Sequence, residues 1–302
     1  MEEMTTGLCP KCGHTLQIPA ELERFSCMYC GERLTKRQLL TQPEEASCSE
    51  EDCAVSFDHA VSRLGWCVQN FRGYQKKILR DAFFEAFETY ETGCAPVIQE
   101  LNSGVRPERQ TELLDRAAEA MLGELSAGWE KKNDMEDEKV ILAIFFVPMV
   151  RKLQLPVSEE FVSLLQKKWV ERYPKSPFYL GDYESISGGF RKKFLGLCFI
   201  TTAVCQELGK PDDCAELTAF RAFRDGYLAA QPDGEALIRE YYNIAPGIVT
   251  CINTCSDRHA SYERIREQYL TPCYEDLLAG RNADCKTRYV QMVRDLEREY
   301  LH

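Results

Sequence analysis

Four cysteines near the start of the chain constrain its fold more than any other feature of the sequence. They follow the spacing Cys-x2-Cys-x14-Cys-x2-Cys, at Cys9, Cys12, Cys27 and Cys30. Two residues between paired thiolates let both sulfurs reach one metal ion from a tight turn, and the glycine after each pair tolerates the strained backbone there. Four thiolates fill the tetrahedral coordination of Zn²⁺, so the spacing predicts one structural Zn²⁺ with no open position for catalysis.

The same cysteines admit other interpretations. Iron in a rubredoxin-like site fits the spacing as well, because tetrahedral S₄ sites accept both metals. A redox-active Cys-x-x-Cys pair fits less well, since two matched Cys-x-x-Cys-Gly units lie within one short segment. His14 is a competing ligand, but it directly follows Gly13, and the four thiolates already suffice.

This segment resembles the zinc-ribbon family in both knuckles, Cys9-Pro10-Lys11-Cys12-Gly13 and Cys27-Met28-Tyr29-Cys30-Gly31. The resemblance covers about a tenth of the chain, and it implies a small stable platform for interactions and no particular reaction. Residues 1–40 carry five basic and five acidic side chains, and the whole chain has a net charge of −11. A neutral ribbon on an acidic chain disfavours nucleic-acid phosphates and favours a protein or peptide partner.

The rest of the chain is predicted to be helical. A ribbon over residues 1–36 is followed by a segment rich in acidic residues, which predicts an acidic linker over residues 37–58. From residue 59 onward, apolar side chains recur at steps of three and four, which is typical of helices with one buried face. The predicted fold class is therefore mainly α, with a small N-terminal β zinc ribbon linked to a multi-helix, bundle-like body.

Within this body the sequence predicts two helical regions, over residues 59–180 and 181–302, and leaves open whether they pack as one body. The apolar run Val140–Val150 predicts a central buried helix, too short to cross a bilayer. Residues 178–189 contain three glycines and predict a loop. Proline and glycine breaks then separate the helices predicted over residues 190–208, 213–230, 233–255, 257–279 and 283–301.

The chain has 15 cysteines. Its first residues show neither the basic n-region nor the apolar h-region of a signal peptide, so a cytoplasmic location is expected. Thiols stay reduced there, and we therefore expect metal ligands, reactive thiols or small buried hydrophobes rather than disulfides.

Seven of the cysteines lie between residues 198 and 285. Helical spacing places Cys198 and Cys205 on one apolar stripe with Phe194 and Thr201. Because cysteine is among the most buried residue types, positions in the core are favoured over a second metal site. The functional alternative is a thiol-dependent enzyme or a thiol-based metal sensor that uses Cys198 and Cys205, with Arg221 nearby.

A second resemblance begins at Cys198-Phe199-Ile200-Thr201-Thr202-Ala203, which is similar to the signature of the CFI-box C-terminal domain, a bacterial and archaeal module. It continues in Phe220-Arg221-Ala222-Phe223-Arg224-Asp225 and in Tyr241-Tyr242-Asn243-Ile244-Ala245-Pro246. The common form has Ala-Thr-Ala followed by Tyr-Gly-Ser, and this chain lacks that Tyr-Gly-Ser. The resemblance implies a bacterial origin and a module without an established activity.

The second of these blocks carries two arginines. Arg221 and Asp225 stand four residues apart on a predicted helix, which predicts an ion pair. In the functional alternative, Arg221 and Arg224 bind an anion or activate Cys198, although burial in an apolar stretch makes a thiol less reactive. The chain contains no P-loop, no Gly-x-Gly-x-x-Gly after a strand, no His-Glu-x-x-His and no Gly-x-Ser-x-Gly. We therefore expect a zinc-ribbon-containing interaction or adaptor protein rather than an enzyme.

Overall fold

A computed structural model of the chain describes residues 4–8, 15–19, 22–29, 31–36, 50–131, 133–191, 198–254 and 257–301. The chain divides into two compact units, Met1–Cys53 and Ala54–His302. The described residues are mainly helical, and their paired strands all lie near the N-terminus. This confirms the coarse prediction of a mainly α chain with a small β segment at its start.

Two antiparallel strand pairs lie in the described part of the first unit. Strand β1 (Met4–Leu8) pairs with β2 (Thr15–Pro19), and β3 (Arg24–Ser26) pairs with β4 (Arg33–Thr35). Of the four predicted cysteine ligands, Cys27 directly follows β3, and the other three lie outside the described residues. The buried apolar side chains of these strand pairs are few. Leu16, Cys27 and Leu34 form one cluster with Phe25 packed against it, and Ile18 is also buried.

Helices follow from residue 50 onward. They are α1 (Glu50–Leu64), α2 (Trp66–Gln69), α3 (Phe83–Gly104), α4 (Gln110–Ala127), α5 (Asp134–Ile141), α6 (Val147–Lys152), α7 (Ser158–Arg172), α8 (Tyr183–Arg191), α9 (Phe199–Glu207), α10 (Ala215–Ala222), α11 (Gly234–Asn253), α12 (Arg258–Ile265), α13 (Thr271–Leu278) and α14 (Asn282–Tyr300). Wider π-helical turns occur at Leu142–Phe146, Phe223–Leu228 and Arg266–Leu270.

Helix α1 begins earlier than the sequence predicts. It starts at Glu50, so residues 50–58 of the predicted linker are helical. Its first turn holds Glu50 and two further acidic residues, which the helix dipole favours, and Phe57 is buried in the core of the second unit. The acidic composition predicts a linker here, but in the structure these acidic side chains lie in the first turn of a helix.

The predicted central helix at Val140–Val150 is confirmed as the middle of the core. Residues 141–147 are almost completely inaccessible to solvent, and they run from α5 through the π-helical turn into α6. Phe145 is the hub of an aromatic cluster, with its ring centroid 5.5 Å from those of Tyr74 and Tyr90 and 5.8 Å from that of Phe83. Such ring pairs add stability beyond the area that they bury.

The chain near residue 190 differs from the prediction of a loop followed by one long helix. Asp182 starts α8 by accepting a hydrogen bond from the Ser185 backbone N–H at 2.8 Å, and Phe190 stacks on Phe83 with centroids 4.2 Å apart. Residues 192–197, including Phe194, lie outside the described residues. Cys198 has non-helical dihedral angles (φ −105°, ψ 84°), so α9 starts anew after it.

The two predicted helical regions pack as one compact unit. The Arg80 N–H donates to the backbone oxygen of Asn243 at 2.9 Å, and the Asp81 N–H donates to its side-chain Oδ1 at 3.1 Å. Close by, Gly247 of α11 lies against the backbone carbonyl of Ile78. No helix within the described ranges is both long enough and apolar enough to cross a membrane.

Candidate functional site

The described part of the predicted metal site is the turn that follows β3. Cys27 is 2% exposed, its N–H donates to the Glu32 carbonyl at 2.8 Å, and its own carbonyl accepts from the Gly31 N–H at 2.9 Å. Gly31 has a φ of +71°, in the left-handed region where a residue without Cβ is favoured. Cys27 thus lies at the base of a closed turn, as a knuckle ligand requires, while Cys9, Cys12 and Cys30 lie outside the described residues.

The outer side of this turn presents large apolar side chains to solvent. Met28 is 78% exposed, more than any other large hydrophobic side chain in the described part of the chain, and Tyr29 is 57% exposed. The turn therefore combines one buried thiol with two exposed side chains of the kind that protein interfaces use.

A second candidate site lies in the helical unit, where residues from α9, α11 and the π-helical turn Phe223–Leu228 meet. Cys198 precedes the first turn of α9, Arg224 belongs to the π-helical turn Phe223–Leu228, and Tyr242 lies on α11. Arg224 Nη1 lies 3.6 Å from Cys198 Sγ and donates a hydrogen bond to the Tyr242 hydroxyl at 3.1 Å. Residues that are 44 positions apart in the chain thus converge on one guanidinium group.

Asp225 fixes the orientation of this guanidinium group. Arg224 Nε donates to Asp225 Oδ1 at 2.6 Å, and Nη2 donates to Oδ2 at 2.8 Å, so the two residues form a bidentate ion pair. Arg224 is only 8% exposed, and the bond from it lowers the pKa of Asp225. Both groups are therefore charged at neutral pH, and the arginine cannot turn away from Cys198 without breaking two hydrogen bonds.

Tyr241 supplies the cap that α9 lacks. Cys198 makes no side-chain hydrogen bond to the start of the helix, and the Ile200 N–H instead donates to the Tyr241 hydroxyl at 3.0 Å. The Tyr289 hydroxyl donates to Tyr241 at 3.4 Å and lies 3.1 Å from Thr201 Oγ1. Burial raises the pKa of both tyrosines, so these hydroxyls keep their protons.

A narrow cavity of about 50 Å³ adjoins this cluster. Cys198, Arg224 and Tyr289 form part of its wall, and the rest is mostly aliphatic and aromatic. A cavity of this size has room for a few waters or one small apolar group. Its geometry suits a well-packed junction between helices better than a substrate pocket.

The predicted ion pair between Arg221 and Asp225 is wrong. Arg221 instead donates to the Asp212 side chain at 2.8 Å and to the Asp212 carbonyl at 2.8 Å, because the α9–α10 loop comes back over α10. Arg224 takes Asp225, and it is also the arginine that contacts Cys198. Cys205 lies at the other end of α9, beside Cys214, so it does not share a site with Cys198.

We expect Cys198 to be a slow nucleophile. Burial raises the pKa of its thiol above the ordinary value, and the positive charges of Arg224 and Arg221 offset only part of that effect. Less thiolate is then present at pH 7–8 than in the unfolded chain, so iodoacetamide should label Cys198 at least tenfold more slowly in the native protein than in urea. Peptide mass spectrometry measures both rates, and an equal or faster native rate would contradict this expectation.

No protein family, no curated protein and no solved structure matches this chain. Among the described residues, no three histidine, cysteine or carboxylate side chains converge in a way that could hold a metal ion.

Proposed function

We propose that this chain is a zinc-ribbon-containing interaction protein. In this proposal Cys9, Cys12, Cys27 and Cys30 hold one structural Zn²⁺, and the knuckle residues Met28 and Tyr29 dock onto a protein or peptide partner. The observation that carries the proposal is the turn at residues 27–32, in which a buried thiol lies directly before two exposed large side chains.

The physical argument concerns the entropy of binding. An exposed methionine and tyrosine on a flexible loop would lose much of their freedom on docking, whereas a turn closed by backbone bonds and a metal has little left to lose. Methionine and aromatic residues are enriched at protein interfaces, which suits these two side chains. The balanced charge of residues 1–40 gives no electrostatic attraction to a phosphate backbone.

In this proposal the cluster around Cys198 is structural and not catalytic. It ties the start of α9 to the π-helical turn and to α11 through Arg224 and Tyr241. The three CFI-box-like blocks would then be a packing signature, which accounts for a recognisable sequence without a conventional catalytic motif. The body, in the cytoplasm, would serve as the rigid carrier of the ribbon.

The docking surface can be tested with full-length variants. The wild-type chain is cross-linked to its partners in extracts of the source organism, and the cross-linked proteins are recovered and measured. We expect the double variant Met28→Ser, Tyr29→Ser to recover at least tenfold less of the same proteins. Leu278→Ser is the matched control, because Leu278 is 70% exposed on α13 and lies outside the ribbon. Metal content measured on each variant shows whether the ribbon is intact.

Unchanged recovery with the double variant, at unchanged zinc content, would contradict the docking role of Met28 and Tyr29. So would equal losses for the double variant and for Leu278→Ser, since that result would indicate nonspecific adhesion of exposed apolar side chains.

A further inference from the structure

Two thiols of the helical unit lie next to each other at the α9–α10 connection. Cys214 Sγ lies 3.8 Å from Cys205 Sγ. A disulfide has an S–S distance of about 2.05 Å, so the sulfurs need to approach by less than about 2 Å to become bonded. The pair is thus poised for oxidation without a rearrangement of the fold.

The local backbone explains this proximity. Gly209, with φ +69°, ends α9, and the Lys210 N–H returns to the Cys205 carbonyl at 2.8 Å while the Gly209 N–H bonds the Gln206 carbonyl at 3.0 Å. This is the Schellman pattern, in which the chain reverses directly after the helix. The reversal brings Cys214, the residue before α10, back onto the last turn of α9.

The two thiols differ in accessibility. Cys205 is buried, and that burial, followed by the bond from Cys214, raises the pKa of Cys205 to about 12. Cys214 is partly exposed and is the residue directly before α10. The charge of Lys210 favours the Cys205 thiolate, and its ion-pair partner Glu216 opposes that effect.

Two other pairs of neighbouring thiols provide a comparison. Cys67 lies beside Cys94, and Cys273 lies beside Cys285, close enough for each pair to share a hydrogen bond. All four side chains are completely buried, and burial and the partner thiol raise the pKa of Cys67 and of Cys285. Of these three pairs, only Cys205–Cys214 includes a residue that is partly exposed to solvent.

We propose that Cys205 and Cys214 form a redox-active dithiol, oxidised to an intramolecular disulfide by low-molecular-weight disulfides. The Cys214 thiolate attacks one sulfur of the small disulfide, which breaks its S–S bond and releases one small thiolate. The Cys205 thiol then loses its proton, attacks the Cys214 sulfur of the mixed disulfide and expels the second thiolate. Two protein thiols are oxidised, one small disulfide is reduced, and the two protons pass to the two released thiols.

Oxidation would close the loop between α9 and α10 covalently. That loop also contains Asp212, the partner of Arg221, so the bond forms directly beside the ion pair that holds the loop against α10. The proposal does not depend on the ribbon, and the failure of either proposal leaves the other intact.

The test uses the reduced full-length protein, oxidised glutathione, an acid quench and peptide mass spectrometry. We expect the Cys205–Cys214 disulfide to form at least tenfold faster than any disulfide within the two buried pairs. Cys205→Ser should stop at a glutathione adduct on Cys214, and Cys214→Ser should form neither the adduct at that site nor the disulfide. Cys273→Ser is the matched control, and it should leave the Cys205–Cys214 reaction unchanged.

Absence of the adduct on Cys214 in Cys205→Ser would overturn the proposed order of attack. Failure of the wild-type protein to form the Cys205–Cys214 disulfide, or its formation no faster than in the buried pairs, would overturn the proposed site itself. If Cys205→Ser fails to fold, labelling of wild-type protein stopped early in the reaction replaces it, because the adduct on Cys214 must appear before the disulfide.

Discussion

Replacing Gly247 by alanine is expected to destabilise the helical unit by about 3 kcal/mol, at the upper end of the usual cost of overpacking. A Cβ at this position would lie 1.9 Å from the Ile78 carbonyl oxygen and 3.1 Å from its carbon. These atoms belong to the backbone, so no side-chain rotation can make room, and α11 must move away from the residues that precede α3. Urea unfolding followed by circular dichroism measures the change.

Gly123→Ala is the matched control for this substitution. Gly123 lies on an exposed part of α4, where a Cβ would meet nothing within 4 Å. Alanine is the better helix former, so this variant should be more stable than the wild type by about 0.5–1 kcal/mol. The same added methyl group should thus have opposite effects at the two sites. A Gly247→Ala variant within 0.5 kcal/mol of wild type, a margin of about the size expected for a neutral surface change, would contradict the close approach of the two helical regions.

The second large effect is expected from Cys27→Ser, which should abolish metal binding and unfold the N-terminal segment. The buried apolar side chains described before α1 are few, namely Leu16, Ile18, Cys27 and Leu34, with Phe25 partly buried against them. This is too little apolar surface to fold a segment of this size alone. In the proposed site, removal of one thiolate should reduce bound zinc from one per chain to none and unfold residues 1–36. Amide hydrogen exchange should then be fast across the ribbon and unchanged over residues 65–301.

Tyr29→Ser is the control for this variant, since Tyr29 lies on the same turn and is exposed. It should keep both the metal and the slow exchange of the strand amides. Slow amide exchange in a metal-free Cys27→Ser protein would show that the strand pairs remain folded without zinc. That result would contradict the structural role assigned to the metal.

Local signals account for the parts of the fold that the sequence predicts well. The apolar run at Val140–Val150 has no alternative to burial, and the breaks at residues 232–234 and 280–282 separate helices that the structure places close to their predicted bounds. The predictions that fail were based on local composition. The acidic residues of the first turn of α1 predict a linker, and the glycines within α8 predict a loop. In the structure, Asp182 caps α8 and Phe190 packs in the core.

At the candidate sites, residue spacing predicts which residues are involved but not all of their contacts. Cys198, Arg221 and Arg224 could be selected from the sequence because they lie in recognisable blocks, but the i, i+4 rule assigned Asp225 to the wrong arginine. The actual partner of Arg221, Asp212, lies in a loop whose path depends on the reversal at Gly209. The same reversal brings Cys214 to Cys205, so this pair could not be recognised before the three-dimensional arrangement was known.

The most direct test of the proposed zinc ribbon is the metal content of the purified full-length protein, with the element identified and its coordination measured by X-ray absorption. We predict one zinc per chain, bound by four sulfurs at about 2.3 Å. Iron in place of zinc, a metal-free protein with an intact ribbon, or a site with nitrogen or oxygen ligands would contradict the account. A second bound metal would indicate that cysteines of the helical unit bind metal as well.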